Sequence, residues 1–260
     1  MNATGNTILI TGGGSGIGRG LAEAFHKQGN QVIIAGRRQS VLDETTAANP
    51  GMKSLTLDIE DPAAIKAFPA KVVADFPKLN VLINNAGIMK LENLTGDSFD
   101  LDAAESMITI NLLGPIRLTA ALLPTLRKQP RATIMTVSSG LAFMPLAMTP
   151  TYCATKAAIH SWSQSLRYQL RDTKIEVLEL APPYVQTELT GPQQAADPRA
   201  MPLADYISET VTLIDTPPTS GEILVENVLP LRWAERNGNF EQIFDNLNGA
   251  FSEALTAHAN

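Results

Sequence analysis

A tyrosine and a lysine spaced four residues apart are the strongest chemical signal in the sequence. Tyr152 and Lys156 lie at the start of an apolar run with helical periodicity, and residues four apart share one face of a helix. A free phenol titrates near pH ~10, but a cation within about 4 to 6 Å lowers its pKa. The spacing therefore predicts that Lys156 makes Tyr152 a general acid or base near neutral pH.

A glycine-rich turn near the start of the chain is the second candidate site. A short apolar run at residues 7–11 is followed by the turn and then by a helical pattern. Glycines let the backbone approach a pyrophosphate, and the N-terminus of the helix offers unpaired N–H groups and a positive dipole. The order predicts a dinucleotide site, and a plain glycine-rich loop is the alternative. The predicted contacts are Gly12, Gly14, Ser15, Gly16, Ile17 and Gly18.

Two arginines follow the second predicted strand and bear on the choice of cofactor. A carboxylate at this position holds the ribose 2′-hydroxyl of NAD, whereas an arginine accommodates the 2′-phosphate of NADP. Arg37 and Arg38 stand there without a carboxylate, which favours NADP(H) over NAD(H). Two solvated surface arginines are the alternative. Asp58 and Ile59, after the third strand, are predicted to cap the adenine, although Asp58 could equally be a surface loop residue.

The order of the elements predicts the fold class. Apolar strand-like runs alternate with helical patterns along the chain, which is typical of an α/β fold with a doubly wound parallel sheet. We predict a single-domain Rossmann-like sheet of about seven strands over residues 1–260, with helices on both faces. Helix 103–126 is apolar nearly all round, so either the sheet and a partner subunit, or unusually thick loops, should cover it. Strands are expected at 7–11, 32–35, 54–57, 81–83, 132–137, 175–180 and 223–225, and helices at 21–29, 63–76, 103–126, 152–171 and 203–214.

Composition narrows the function classes. The 260 residues are 44% hydrophobic and 18% charged with no linker-like stretch, which predicts one domain with a full core. A net charge of −6 argues against a nucleic-acid partner. Cys153 stands alone and His26, His160 and His258 are far apart in sequence, so we expect no disulfide and no metal site. No export signal and no run of about 18 apolar residues is visible, which favours a cytoplasmic protein without a membrane span.

Taken together, these motifs resemble the short-chain dehydrogenase/reductase superfamily over about residues 7–190. The order and spacing match that family, and Ser139 precedes Tyr152 by 13 residues as it does there. The matching residues are the 11–18 glycine turn, Asn84, Asn85, Ala86, Gly87, Asn111, Ser139, Tyr152 and Lys156.

The resemblance implies a role for each matching residue. Tyr152 would protonate a carbonyl oxygen as hydride arrives from the nicotinamide, and Ser139 would orient that oxygen. Lys156 would lower the pKa of Tyr152 and bind the nicotinamide ribose. Asn111 would hold a water that relays protons, with a structural helix amide as the alternative. Further cofactor contacts are implied for Asn85, Ala86, Gly87, Val185 and Thr187.

Two departures from the family pattern concern the substrate side. Pro182-Pro183 replaces the usual Pro-Gly, and the tail at about 230–257 replaces a short glycine-rich ending. Both features resemble the DltE-type oxidoreductase subgroup. Residues of about 189–216 are expected to form a flap over the substrate, with a passive surface loop as the alternative. The predicted substrate pocket, any member of which could instead be core, is Ser139, Phe143, Met144, Tyr184 and Leu189.

The functional hypothesis is an NADPH-dependent carbonyl reductase acting on a ketone, aldehyde or secondary alcohol of apolar character. An NAD-linked alcohol dehydrogenase is the alternative within enzymes. A catalytically silent nucleotide-sensing protein is the alternative outside them. A homodimer or homotetramer formed through the two long helices is expected, with a small-molecule substrate and no nucleic-acid or membrane partner.

Overall fold

In the computed structural model, which describes residues 1, 4–96 and 101–257, seven strands form one parallel sheet in the order β3-β2-β1-β4-β5-β6-β7. This topology confirms the predicted α/β fold class, a Rossmann-like doubly wound sheet. His258 lies outside the described residues. The strands are β1 Thr7–Thr11, β2 Gln31–Gly36, β3 Lys53–Thr56, β4 Val81–Asn84, β5 Ala132–Val137, β6 Ile175–Leu180 and β7 Glu222–Ile223.

The strands read as nearly continuous apolar runs because helices cover both faces of the sheet. In β1, Ile8 and Ile10 belong to one core layer and Leu9 to the other, and all three are fully buried. The flanking helices are α1 Gly16–Lys27, α2 Gln39–Ala48, α3 Pro62–Asp75, α4 Leu101–Ile108, α5 Gly114–Leu126, α6 Pro150–Leu170, α7 Pro192–Ala196 and α8 Leu203–Asp215.

The predicted helix over 103–126 is not one regular α-helix. A π-helical segment, Thr109–Leu113, separates α4 from α5, and the N–H of Gly114 donates to the carbonyl of Thr109. By length and composition alone, Leu101–Leu126 could cross a membrane. Here Leu118 and Leu122 are fully buried in the core layer that also contains Leu9. This packing is that of a core helix under the sheet.

Three further elements differ from the sequence-based expectation. Helix α2 was not predicted, because its apolar face is only Leu42 with Thr45. The last strand covers two residues rather than 223–225. The stretch 190–202, which shows no helical periodicity, contains the short helix α7. The tail forms α9 Leu229–Arg232, α10 Ala234–Asn237 and α11 Phe240–Ala257.

Strand order reverses between β1 and β4, and this determines where a ligand can bind. The chain leaves β1 for β2 on one side and returns to β4 on the other, so the loops after these two strands separate and leave a crevice at the carboxyl edge. The glycine turn follows β1, residues 85–87 follow β4, and Ser138 follows β5. The fold therefore gathers the sequence motifs at one edge of the sheet.

Candidate active site

A cleft of about 620 Å³ runs along this carboxyl edge. The volume lies within the usual ~300 to 1,000 Å³ range for a cofactor or small-molecule site. Most of the predicted contacts line it. Those that do are Gly12, Gly14, Ser15, Gly16, Ile17, Arg37, Arg38, Ile59, Asn85, Ala86, Gly87, Ser139, Tyr152, Lys156, Val185, Thr187 and Leu189.

The glycine turn forms one wall of the cleft. Gly12 and Gly16 have φ of +65° and +50°, in the left-handed region that favours glycine. A Cβ on Gly18 would stand 2.3 Å from the carbonyl oxygen of Gly12, so only glycine allows this close packing of α1. Gly18 itself does not line the cleft and instead shapes the turn.

The N-terminus of α1 faces the cleft without a side-chain cap. Ser15 precedes the helix in an extended conformation, its side chain makes no capping hydrogen bond, and the first turn carries no acidic residue. The first N–H groups of a helix have no partner within the helix. A phosphate would satisfy them and interact favourably with the helix dipole. The turn therefore fits the pyrophosphate of a dinucleotide.

The two arginines lie at the far end of the cleft from Tyr152, beyond the glycine turn. The side chain of Arg37 is 53% exposed, and its Nη1 lies 3.6 Å from Oε2 of Glu60. Arg38 precedes α2. Asp58 is not among the cleft residues, because its carboxylate turns back to accept a hydrogen bond from the N–H of Glu60. Of this predicted pair, Ile59 lines the cleft and Asp58 does not.

The loop after β4 is fastened to β1 and forms the floor of the cleft. The Thr11 hydroxyl accepts hydrogen bonds from the N–H groups of Asn85 and Ala86, both at 3.0 Å. The Asn85 amide donates to the carbonyl of Thr11 at 2.9 Å. These bonds hold the loop beside the glycine turn through contacts within the chain itself.

Tyr152, Lys156 and Ser139 converge at the other end of the cleft. Tyr152 and Lys156 lie in the first two turns of α6, and the Lys156 Nζ is 5.5 Å from the centre of the Tyr152 ring. All three side chains are buried. The Lys156 ammonium donates to the carbonyl of Val137 at 2.8 Å. Ser139 accepts a hydrogen bond from the N–H of Leu141 through its hydroxyl, which also bonds to Tyr152.

The net pKa shift of Tyr152 is opposite in direction to the predicted lowering. Burial raises the pKa of the Tyr152 phenol, and the hydrogen bond with Ser139 opposes this only in part. Burial also lowers the pKa of the Lys156 ammonium to about 8, with Glu179 acting in the opposite direction. The ammonium is directed at the Val137 carbonyl rather than at the phenol oxygen, so desolvation exceeds attraction. The phenol is held in its neutral, proton-donating form.

Asn111 lies in the π-helical segment and does not line the cleft. Its side chain accepts from the N–H of Ile88 at 2.9 Å and donates to the carbonyl of Ile88 at 2.8 Å. It also donates to the Thr155 hydroxyl at 3.3 Å. These bonds support the structural alternative for the side chain, since they tie residue 88 to the helices. A water-holding role for Asn111 stays a prediction.

The segment after β6 lines the cleft next to the loop that carries Ser139. The carbonyl of Pro182 accepts from the N–H of Gly140 at 2.8 Å, so the double proline is tied to the loop that carries Ser139. The Gln194 amide donates to the carbonyl of Val185 at 2.9 Å and to the Thr187 hydroxyl at 3.1 Å. Gln194 lines the cleft and was missed, because nothing local in the sequence indicates that α7 folds back onto residues 185–187.

Three predicted substrate residues do not line the cleft. The Phe143 ring packs on His160 at 4.8 Å and under the Arg232 guanidinium at 4.6 Å. Met144 is fully buried. Tyr184 donates its hydroxyl to Asp197 at 3.1 Å. The apolar neighbours of the cluster that contains Tyr152 are instead Ile88, Met89, Leu141, Leu247 and Phe251.

Comparisons with known proteins agree with this geometry. A family model described as short chain dehydrogenase matches residues 6–198. The chain is 41% identical over 251 residues to "Uncharacterized oxidoreductase DltE" of Bacillus subtilis (strain 168), which covers 95% of this chain and 98% of that protein.

Solved structures give the same result. The closed form of serine dehydrogenase complexed with NADP+ is 27% identical, with a TM-score of 0.74 over 83% of this chain and 91% of that one. The 3-ketoacyl-(acyl-carrier-protein) reductase from Brucella melitensis complexed with NADH is 26% identical, with a TM-score of 0.77 over 87% and 98%. The chain therefore belongs to the short-chain dehydrogenase family of oxidoreductases.

Proposed function

We propose that the protein is an NADP(H)-dependent carbonyl reductase that interconverts an apolar ketone or aldehyde with its alcohol. The observation that carries the proposal is the convergence of Tyr152, Lys156 and Ser139 at one end of a cleft whose middle is an uncapped glycine turn. When bound, the nicotinamide dinucleotide supplies or accepts the hydride. The protein supplies position and the proton.

In the reductive direction, the Ser139 hydroxyl and the Tyr152 phenol both hydrogen-bond the substrate oxygen. Negative charge develops on that oxygen as hydride reaches the carbon, and Tyr152 gives it the phenolic proton. The raised pKa of Tyr152 suits this step, because a neutral phenol is the donor and an alkoxide is much more basic than a phenolate. The Lys156 ammonium, buried next to the phenol, then stabilises the phenolate that remains.

Arg37 and Arg38 support NADP(H) as the cofactor, since both line the cleft beyond the glycine turn. Arg37→Ala should weaken NADPH binding about tenfold, the value of one charge-assisted contact, and leave NADH binding unchanged. Fluorescence titration of both cofactors measures this. Equal NADPH affinity in wild type and variant would mean that Arg37 does not contribute to NADP(H) binding.

An NAD-linked alcohol dehydrogenase is the second candidate, and one contact favours it. The carboxylate of Glu60 lies 3.6 Å from the Arg37 guanidinium, so an acidic group stands near the position where a ribose hydroxyl could be recognised. Tighter binding of NADH than of NADPH by the wild type would decide for this alternative.

The activity test is a panel of apolar and polar ketones and aldehydes with NADPH, with Tyr152→Phe as the matched control. We expect NADPH oxidation by the wild type with at least one apolar carbonyl compound and a loss of about 10³-fold in the variant. No oxidation above the variant with any compound would reject the proposal. NADPH binding without turnover would instead favour a nucleotide-sensing protein.

We also propose a homodimer or homotetramer formed through the long helices. Leu101 and Ile108 on α4 are 58% and 40% exposed, and apolar side chains that stand together on one helix are typical of subunit interfaces. Light scattering of wild type and of Leu101→Glu/Ile108→Glu tests this. A monomeric wild type would contradict the assembly.

A further inference from the structure

A carboxylate is buried on β6, the strand next to the edge strand β7, where an apolar residue is expected. Glu179 lies on β6 between Leu178 and Leu180, and its side chain is 0% exposed. A buried carboxylate is unfavourable unless it is paired and hydrogen-bonded. Its presence in an otherwise apolar stretch of a covered strand therefore requires a reason.

The direct partner of Glu179 is His160 on α6. The His160 Nδ1 lies 2.9 Å from both carboxylate oxygens of Glu179. A second carboxylate, Glu222, is the register partner of Glu179 on β7 and pairs with Arg232 at 2.7 Å. The negative charge of Glu179 also contributes to raising the pKa of Arg232. The charged and titratable groups that face Glu179 are therefore His160, Glu222, Arg232 and Lys156.

Lys156 lies one helical turn before His160 on the same face of α6. Its ammonium donates to the carbonyl of Val137, and Val137 pairs in register with Leu180, the neighbour of Glu179. Tyr152, on the same helix as Lys156, is held neutral, and among the described residues the charge that acts on Lys156 is that of Glu179 on β6. The charge of Glu179 raises the pKa of Lys156, whereas burial lowers it.

We propose that Glu179, oriented by His160, is a positioning residue that keeps the buried Lys156 ammonium protonated beneath the reacting groups. The inference rests on the proposed function for its consequence, because only a charged Lys156 stabilises the phenolate of Tyr152 and binds ribose hydroxyls as a donor. The carboxylate acts through Lys156 and touches neither cofactor nor substrate.

The direct test follows the side-chain Nζ of Lys156 by ¹⁵N NMR as a function of pH in the free protein, with Lys156→Arg used for assignment. Wild type should titrate near pH 8. Glu179→Gln keeps the size and a hydrogen bond to His160 but removes the charge, and should move the midpoint down by about one pH unit. Glu179→Asp, which keeps the charge, should titrate within about 0.3 units of wild type.

Glu222→Gln is the matched control, because it removes a buried carboxylate from the neighbouring strand that does not act on Lys156. It should leave the Lys156 midpoint in place. An equal shift in Glu179→Gln and Glu222→Gln, or no shift in Glu179→Gln, would overturn the proposal. If Glu179→Gln does not fold, the double variant His160→Gln/Glu179→Gln replaces the pair by two amides. Its Lys156 midpoint should also lie about one pH unit below that of wild type.

Activity provides a second readout. The alkaline limb of kcat/KM for carbonyl reduction should move to lower pH in Glu179→Gln by the shift seen in the NMR titration, with little change at pH 6. A uniform loss of activity at all pH values would instead indicate a merely structural role. Because the NMR titration needs no substrate, it stands even if the panel shows no carbonyl reduction, so the two failures are distinguishable.

Discussion

The two halves of the cleft are built in different ways. The cofactor half comes from the first third of the chain, where strand ends, the glycine turn and residues 85–87 are joined by backbone and short side-chain bonds such as those of Thr11. The substrate half is assembled from segments far apart in sequence. Behind the residues that line this half, the Asn248 side chain on α11 accepts a hydrogen bond from the N–H of Ala147, and Phe251 packs edge-on against Tyr184 at 5.8 Å.

This difference determines what each half can tolerate. In the cofactor half, backbone atoms approach so closely that even one added methyl group collides, as at Gly18. In the substrate half, partly exposed side chains meet across the ends of loops and one tail helix. The first half should therefore be intolerant of substitution, whereas changes in the second should alter substrate choice and leave cofactor binding intact.

The largest effect is expected for Gly18→Ala. Its Cβ would stand 2.3 Å from the Gly12 carbonyl oxygen and 2.4 Å from the Asn85 amide, so the turn must open. We expect NADPH affinity to fall by about 100-fold and the free energy of unfolding by about 3 kcal/mol. Calorimetric titration and denaturant unfolding measure these quantities.

Gly249→Ala is the control for that substitution, because a Cβ there meets nothing within 4 Å. It lies in α11 and should stabilise the helix by about 0.5 to 1 kcal/mol without affecting NADPH affinity. Similar losses in both variants would contradict the contrast between the two halves.

A smaller effect on stability is expected for Lys156→Met, at the junction of the two halves, and here the substitution should stabilise the fold. Burial holds the pKa of Lys156 near 8 in the folded protein, below about 10.4 in the unfolded chain. The unfolded chain thus binds more protons between these values, and wild-type stability should rise with pH from about 8 to 10.5. The variant should abolish turnover and be more stable at pH 7 by about 2 kcal/mol, after loss of the bond to Val137.

Chemical unfolding at pH 7 and pH 10 tests this prediction. The advantage of Lys156→Met should shrink at the higher pH, where the wild-type lysine is neutral in the fold. Lys66→Met, at an exposed position on α3, should change stability little at either pH. Lower stability of Lys156→Met at pH 7 would mean that the ammonium stabilises the fold.

The smallest effect is expected in the substrate half. Phe251 packs against the apolar cluster that contains Tyr152 and lies 4.8 Å from the Arg199 guanidinium. Phe251→Ala should change the kcat/KM ratio of bulky to small carbonyl compounds about fivefold in favour of the bulky ones, with unchanged NADPH affinity. Phe240→Ala, on the same helix and stacked on Phe244, should leave the ratio unchanged. Equal effects of the two variants would mean that Phe251 on α11 does not shape the substrate half of the cleft.

The same contrast explains how far the sequence could be interpreted. The parallel sheet of seven strands is confirmed, and the glycine turn and residues 85–87 line the cleft as expected, because hydrophobic periodicity and glycine spacing are local properties. Phe143, Met144 and Tyr184 were placed wrongly, since which way a loop side chain points depends on contacts with His160 and Asp197 that no local pattern specifies.

The electrostatics of the site were also beyond local reasoning. Spacing alone correctly places Lys156 beside Tyr152. It cannot show that both groups are buried, or that Glu179 from a strand far away in sequence acts on the ammonium. Burial therefore reversed the predicted direction of the Tyr152 pKa shift.

The most direct test of the account is the single-turnover rate constant of NADPH oxidation at saturating carbonyl compound, measured with NADPH affinity in wild type and Tyr152→Phe. The account predicts a rate constant about 10³-fold lower in the variant, with the NADPH Kd unchanged within about threefold. An equal rate constant in the two proteins would contradict it, because the proton would then reach the substrate oxygen from another group.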